Sequence, residues 1–301
     1  MNFPSLRTAT GLIAASLLTL AAGCGGGGGG GIGGTGSALG TMRVSMTDAP
    51  ACGYSAVNVT VEKVRVHQSA GAGDADGGWS EIVLAPAKRI DLLTLTNGAL
   101  VELGQTALPA GKYTQLRLVL AENGSGASAL ANSVVPIGGS ETPLTTPSAN
   151  QSGLKLNADI DVSPEQVADV VLDFDACKSV VKRGNSGEYN LKPVISVIQR
   201  LSDAGMRVIG YLDPLLANGA TQVSVQANGV TVKATPPDST GQFVLYPVPA
   251  GTYDLVVSAP GRATAVLTGV PVTTTAYTYV NAATAPMLPA ASTVRAVGGT
   301  V

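Results

Sequence analysis

The chain has 301 residues, 45% of them hydrophobic and 13% charged, so it is long enough to bury one large core or two ordinary ones. Its formal net charge of −2 excludes a basic surface for nucleic-acid phosphates, and we expect no nucleic acid among its partners. One histidine and three cysteines exclude multi-histidine metal sites and zinc sites with four cysteine ligands. The 38 glycines and 18 prolines favour β structure rich in turns.

Residues 1–23 have the pattern of an export signal, because Arg7 precedes an uncharged apolar stretch at 11–22 that is too short for a stable membrane span. Residues 20–24, Leu-Ala-Ala-Gly-Cys, resemble the signal of bacterial lipoproteins, in which a small residue precedes the cysteine to be lipidated. The resemblance implies that residues 1–23 are removed as a lipoprotein signal peptide and that Cys24 carries a lipid anchor. The alternative is a soluble secreted protein that is cleaved after Ala22 or Gly23.

Residues 24–40 comprise this cysteine and a glycine-rich flexible tether, whose few side chains cannot bury enough surface to order it. As a random coil the tether spans roughly 20–25 Å, which would hold a folded body close to a membrane. The lipoprotein resemblance implies three acyl chains, which together anchor stably. By the sorting rule of Gram-negative lipoproteins, Gly25 in place of Asp implies the outer membrane, at its periplasmic face or at the cell surface.

Beyond residue 40 the apolar residues alternate with period two, as they do in half-buried antiparallel strands. In residues 153–162 this alternation predicts an inward face made of Leu154, Leu156, Ala158, Ile160 and Val162. In residues 112–120 it predicts an inward face made of Thr114, Leu116, Leu118 and Leu120. The phase of residues 57–66 slips near Glu62, which predicts a β-bulge there.

Short strands continue to about residue 201, so we interpret residues 41–201 as one β-sandwich domain. Over roughly residues 40–200 the chain resembles a bacterial domain family of unknown function, DUF4382. The resemblance is carried by residues 47–50 (TDAP), 57–61 (VNVTV), 90–93 (IDLL), 108–113 (LPAGKY) and 172–176 (LDFDA). It implies export and a β-rich fold, and it implies no activity because none is established for the family.

Residues 206–285 are predicted to form a second β-sandwich. They resemble the carboxypeptidase-regulatory-like domain, a prealbumin-like or carbohydrate-binding-like sandwich, through residues 208–213, 223–225, 231–232, 238–243 and 249–261. Gly241 and Gly251 would permit tight turns in this domain. Residues 286–301 are interpreted as a flexible tail. The predicted class is therefore all-β, with two β-sandwich domains, prealbumin-like or Ig-like, after the signal peptide and the tether.

A five-residue pattern, Pro-Ala-Gly-x-Tyr, occurs once in each predicted domain, at residues 109–113 and 249–253. An alternating strand follows each copy. The repetition suggests that both domains share a prealbumin-like topology.

Cys52 and Cys177 remain once Cys24 is lipidated, and in an exported chain two remaining cysteines favour a disulfide. The alternative is a pair of buried thiols. A bond between them would bring Asp48 towards Asp173 and Asp175, and three converging carboxylates could bind Ca²⁺. The alternative is that Asp48 caps its own turn while the other two aspartates face solvent. No other cofactor is expected.

Catalysis has little support in the sequence. His67 is the sole histidine, it ends a strand before a Gly/Asp-rich loop, and no G-x-S-x-G motif accompanies it. The pairs Asp159/Asp161 and Asp173/Asp175 each share one strand face, where carboxylates are usually solvated. We therefore expect that the protein is not an enzyme, and no small-molecule substrate is identified.

Three aromatic residues are candidates for ligand binding: Trp79 in the first predicted domain, and Tyr277 and Tyr279 on one strand face of the second. The alternative for each is packing in the core. The leading hypothesis is a non-catalytic, lipid-anchored envelope protein that acts as a binding or structural module, with the membrane and envelope proteins as partners. The alternatives are a polysaccharide-binding envelope module and, with less support, an envelope hydrolase that uses His67 or the aspartates.

Overall fold

The computed structural model describes residues 38–48, 53–126, 129–147 and 152–292. All of these residues belong to one compact unit. The predicted signal peptide, Cys24 and nearly all of the predicted tether therefore lie outside the described residues, as does Cys52. Within the described ranges, no helix is long and apolar enough to span a membrane.

β-Strands make up nearly all of the regular structure, which confirms the predicted all-β class. Residues 39–200, here called the first body, contain the strands β1 (Leu39–Asp48), β2 (Tyr54–His67), β3 (Ser80–Asp91), β4 (Val101–Pro109), β5 (Gly111–Leu120), β6 (Ser133–Pro136), β7 (Thr142–Thr145), β8 (Leu154–Val162), β9 (Val167–Phe174), β10 (Val180–Lys182), β11 (Tyr189–Leu191) and β12 (Ile195–Arg200). A 3-10 helix, Leu92–Thr94, follows β3, and a four-residue α-helix, α1 (Ala176–Ser179), follows β9.

Two sheets enclose the core of the first body. One sheet has the order β12-β9-β1-β4, in which β1 and β9 run parallel. The other has the order β10-β11-β7-β6-β2-β5-β8, with β3 paired to β2. Between them lies one apolar cluster that includes the fully buried side chains of Met42, Leu116 and Phe174.

Two local predictions in this body are confirmed. In β8 the side chains of Leu154, Leu156, Ile160 and Val162 are buried and alternate with exposed ones. In β2 the pairing register shifts between Val61 and Lys63 against both neighbouring strands, where the bulge was predicted.

The prediction for β5 is only partly right. Leu116, Leu118 and Leu120 are buried, but Tyr113 replaces Thr114 on the inward face, because the register with β8 shifts between Tyr113 and Gln115. The opposite face of β5 is buried as well, since the loop after β2 covers it and the Ala72 carbonyl accepts hydrogen bonds from Gln115 and Arg117.

Residues 206–292, here called the second body, contain β13 (Val208–Tyr211), β14 (Gln222–Ala227), β15 (Val230–Thr235), β16 (Gln242–Leu245), β17 (Gly251–Ser258), β18 (Ala265–Val272) and β19 (Thr278–Tyr279), with a 3-10 helix at Pro214–Leu216. They form a three-stranded sheet, β16-β13-β19, and a four-stranded sheet, β15-β14-β17-β18. A separate apolar cluster, which includes the predicted core residues Phe243 and Tyr253, lies between these sheets. Gly241 has the positive φ (86°) that its predicted turn requires, whereas Gly251 opens β17 beside the Tyr253 ring.

The interpretation of residues 286–301 as a flexible tail is wrong for those that the structure describes. Met287 packs against the second core and bridges to Leu212. Ala291 bridges to Arg262, and the Ser292 N–H donates to the Gly261 carbonyl at 2.9 Å. These backbone hydrogen bonds order the segment although its sequence has no strand periodicity.

The two Pro-Ala-Gly-x-Tyr segments have the same hydrogen bond. Tyr113 Oη donates to the carbonyl oxygen of Pro109 at 2.9 Å, and Tyr253 Oη donates to that of Pro249 at 2.9 Å. Both tyrosines are buried, and burial raises the pKa of each phenol. The repeated pattern therefore marks one local structure that occurs in both bodies.

Candidate functional site

Two of the three aspartates predicted to bind calcium lie close together at the junction between the bodies. Asp48 ends β1 and Asp173 lies on the parallel neighbour β9, where it is paired with Thr47. Lys233 on β15 of the second body reaches both strands: its ammonium group donates to Asp173 Oδ1 at 2.5 Å and to the Asp48 carbonyl oxygen at 3.1 Å. The junction therefore holds a buried ion pair between the two bodies.

The ion pair is almost completely removed from solvent. The side chain of Lys233 is 2% exposed and that of Asp173 is 9% exposed. Burial raises the pKa of Asp173, and the charge of Lys233 opposes this rise. The ammonium group thus supplies the countercharge that a buried carboxylate needs.

The remaining aspartate contacts are also internal. Asp48 Oδ1 accepts the Ala176 N–H at 2.9 Å, so it bonds to α1. Asp175 caps α1 through the Lys178 N–H and forms an ion pair with the Lys178 ammonium group at 2.7 Å. Among the described residues, no group of three His, Cys, Asp or Glu side chains could hold a metal ion. Where calcium was predicted, the structure has the ammonium group of Lys233.

Cys177 lies in α1 and is disulfide-bonded. The other two cysteines of the chain lie outside the described residues. The pairing of Cys177 with Cys52 therefore stays a prediction.

His67 is at the end of β2, and both of its ring nitrogens contact backbone. Nδ1 accepts the Ser69 N–H at 2.8 Å, which places the proton of the neutral ring on Nε2, and Nε2 lies 3.0 Å from the Gly77 carbonyl oxygen. A general base needs a nitrogen lone pair that faces the substrate. Here the imidazole instead joins the two ends of its own loop.

Trp79 closes the same loop. Its ring centroid lies 4.6 Å from the guanidinium carbon of Arg65, 4.9 Å from that of Arg117 and 5.0 Å from the His67 ring. Its indole N–H donates to the Gly73 carbonyl at 3.0 Å. These cation–π and hydrogen-bond contacts hold the half-buried Trp79 in the fold, so it is not an open platform for a ligand.

Tyr277 and Tyr279 are exposed by 40% and 63%, which overturns the alternative of core packing. They lie at the edge of the three-stranded sheet, where β19 pairs in parallel with β13. Their ring centroids are 6.5 Å apart in an edge-to-face arrangement. Of the predicted ligand-binding aromatics, this pair is the one that faces solvent.

Two residues in these sites were missed at the level of sequence. Lys233 left no signal in the alternation of β15, because it shares its strand face with Thr231 and Thr235 and not with the apolar residues. Arg207, whose guanidinium group lies between the rings of Tyr246 and Tyr277, left no signal either, since its partners are 39 and 70 positions away.

Comparison with known proteins gives one family. The family described as "Domain of unknown function (DUF4382)" matches residues 39–193. No curated protein matches the chain.

Two solved structures are similar to this chain at low TM-scores. A chain of a type II cohesin–X–dockerin complex from Acetivibrio cellulolyticus is 26% identical over 29% of this chain, with a TM-score of 0.25, and the match spans 58% of that chain. The Bacillus anthracis TIE protein is 13% identical over 81% of this chain and 34% of its own, with a TM-score of 0.19. At these TM-scores neither likeness carries a conclusion about function.

Proposed function

The chain belongs to the DUF4382 family, whose function is unknown, and we propose that it is a lipid-anchored, non-catalytic binding or structural module of the bacterial cell envelope. The lipoprotein pattern at residues 20–24 supports the anchor and the outer-membrane location. In this proposal the partners of the protein are the outer membrane, through the lipid anchor, and other components of the envelope.

The contacts of His67 carry the non-catalytic part of the proposal. Hydrolases of the Ser–His–Asp type need an imidazole that accepts a proton from the nucleophile. In this protein both imidazole nitrogens contact the backbone of their own loop. Of the four aspartates considered for catalysis, three form ion pairs with lysines: Asp159 with Lys112, Asp173 with Lys233 and Asp175 with Lys178.

A polysaccharide-binding module is the second candidate function. It is favoured by the exposed Tyr277–Tyr279 pair, because tyrosine presents an apolar ring with a polar end to a ligand. This candidate is a special case of the first.

Activity assays test the non-catalytic proposal. The full-length protein in detergent is incubated with chromogenic ester, glycoside and phosphate substrates, beside a His67→Gln variant that cannot act as an imidazole base. We expect no turnover above the blank for either protein. Turnover by the wild type that disappears in a folded His67→Gln protein would overturn the proposal.

Membrane anchoring is tested in cells. We expect palmitate labelling and outer-membrane fractionation of the wild type, and loss of both in Cys24→Ser. Cys177→Ser is the matched control, since it removes a different cysteine and should retain the label. Labelling that persists in Cys24→Ser contradicts the anchor.

A further inference from the structure

Three aromatic or cationic side chains lie in one row across the edge sheet of the second body. Val208 on β13 pairs with Leu245 on β16 and with Thr278 on β19. The residues that adjoin this paired row at the ends of the three strands are therefore Tyr246 for β16, Arg207 for β13 and Tyr277 for β19. The Arg207 guanidinium carbon lies 4.2 Å from the Tyr246 ring centroid and 5.1 Å from that of Tyr277, so the cation is held between two aromatic rings.

The Arg207 guanidinium group has an unused hydrogen-bond donor. In the part of the chain that the structure describes, no carboxylate forms an ion pair with it, and its buried Nε–H has no hydrogen-bond acceptor. Arg200 differs, because it pairs with both Asp169 and Asp203. A guanidinium group that contacts aromatic rings still has N–H groups that can bind a carboxylate through two parallel hydrogen bonds.

The open side of the row has a second aromatic ring. Tyr279 follows Tyr277 on the same strand face and is the more exposed of the two. On the other side the first body closes the row, since the Asn97 side chain accepts the Val244 N–H at 2.6 Å and Gly98 packs against Val244. A ligand therefore reaches Arg207 from the β19 edge, across the tyrosines.

We propose that Arg207, Tyr277 and Tyr279 form a binding site for an acidic saccharide, a glycan whose sugar rings carry carboxylate groups; this inference rests on the proposed binding function and gives its ligand class. The tyrosine pair would contact the apolar face of a sugar ring and its hydroxyl groups. The guanidinium edge would bind the carboxylate. Because the net charge of the chain is −2, general attraction of polyanions is weak and binding should depend on this one cation.

Glycan binding by the full-length protein in detergent tests the site. The probes are polygalacturonate, alginate and hyaluronan, and the matched probe is methyl-esterified polygalacturonate, which has the same backbone with its charge removed. We expect binding of at least one acidic glycan and, for polygalacturonate, about tenfold weaker binding of the ester, the usual loss for one strong contact. Arg207→Met retains the aliphatic stem between the rings and should weaken binding about tenfold.

Further variants separate the tyrosines from a general effect on folding. Tyr279→Ala should weaken binding to the acidic probe, while Tyr279→Phe should retain most of it. Leu215→Ala, at an 80% exposed position of the same body, should leave binding unchanged.

Each contrary outcome has one meaning. Equal binding of the ester, or full binding by Arg207→Met, overturns the acidic-saccharide inference and leaves a polysaccharide-binding module standing. No binding to any of the three acidic glycans also overturns the inference. The activity and anchoring tests of the proposed function are read separately and do not depend on either result.

Discussion

The junction between the bodies contains one buried cation and one buried anion, Lys233 and Asp173. A pair of this kind adds little net stability over an apolar pair, because removing both charges from water costs about as much as their attraction returns. Its members are nevertheless interdependent, since either charge alone would be buried without a partner. The pair therefore ties the second body to the first in one arrangement.

Replacing one member tests this dependence. Lys233→Met leaves the Asp173 carboxylate buried and unpaired, and we expect a loss of about 3–5 kcal/mol in the free energy of unfolding, measured by urea denaturation. Lys178→Met is the control, because that lysine pairs with Asp175 at the surface and should change stability by less than about 1 kcal/mol. The double variant Asp173→Leu/Lys233→Met should recover most of the loss. Similar small effects of both lysine variants would contradict the assignment.

Asp169 gives the protein an acid-sensitive contact. Burial by itself would raise the pKa of Asp169, but hydrogen bonds and charges from Arg43 and Arg200 outweigh burial and lower it. A lowered pKa in the folded state stabilises the protein above the unfolded value of about 3.9, and this contribution is lost as the pH falls through the folded value. Asp169→Asn should therefore be less stable than wild type at pH 7, and the difference should shrink below about pH 4. A pH-independent difference in chemical denaturation would contradict this.

At the scale of residues, the sequence allowed only part of the site to be predicted. Tyr277 and Tyr279 could be identified, because two aromatic residues spaced by two share a strand face wherever that strand lies. The partner of Asp173 could not be identified, since Lys233 is 60 positions away and reaches it only where a sheet of the second body meets the first body. A local sequence pattern contains no information about this contact between the bodies. Without the lysine in view, the three aspartates suggested a calcium site.

At the scale of elements, the two Pro-Ala-Gly-x-Tyr segments each attach the start of a strand to the preceding connection. The tyrosine hydroxyl returns to the proline carbonyl four residues earlier, in both bodies at 2.9 Å. Without the hydroxyl, that carbonyl would lose its side-chain hydrogen bond next to a buried ring. Each segment should contribute to stability by the same mechanism.

We expect Tyr113→Phe and Tyr253→Phe each to lower the free energy of unfolding by about 1 kcal/mol, the net value of one hydrogen bond. The expected values agree because the two donor–acceptor distances are equal. Tyr279→Phe, at an exposed hydroxyl, is the control and should leave the melting temperature unchanged. If neither buried tyrosine variant differs from this control, the hydrogen bonds have no energetic role.

Strand prediction from periodicity succeeded or failed according to what covers the second face. β8 has one face in solvent, so its alternation identified the buried residues correctly. β5 is covered on both faces, and the contacts of Gln115 and Arg117 with the loop after β2 could not be inferred from period two. Residues 286–292 are ordered by backbone hydrogen bonds to distant segments, which leave no pattern in their side chains.

At the scale of the whole molecule, two apolar cores lie within one compact unit, and a turn of the first body joins them. Asn97 has a left-handed backbone (φ 57°), its N–H donates to Thr235 Oγ1 at 2.7 Å, and its side-chain oxygen accepts the Val244 N–H. Together with the Lys233–Asp173 pair, these bonds connect β15 and β16 to the first body. We therefore expect the two cores to unfold in one cooperative calorimetric transition.

Weakening the junction should separate the two cores. Asn97→Ala puts an alanine in a left-handed conformation and also removes the acceptor of the Val244 N–H. We expect it to lower the free energy of unfolding by about 1–3 kcal/mol more than a substitution that introduces the strain alone. Asn228→Ala is the matched control for strain, because Asn228 has a similar φ of 51° in the hairpin between β14 and β15. Asn97→Ala/Lys233→Met should broaden the calorimetric transition or split it in two, since each core then unfolds at its own temperature. Two resolved transitions in the wild-type protein would show that the junction does not couple the unfolding of the two bodies. A single sharp transition in the double variant would show that other contacts couple them.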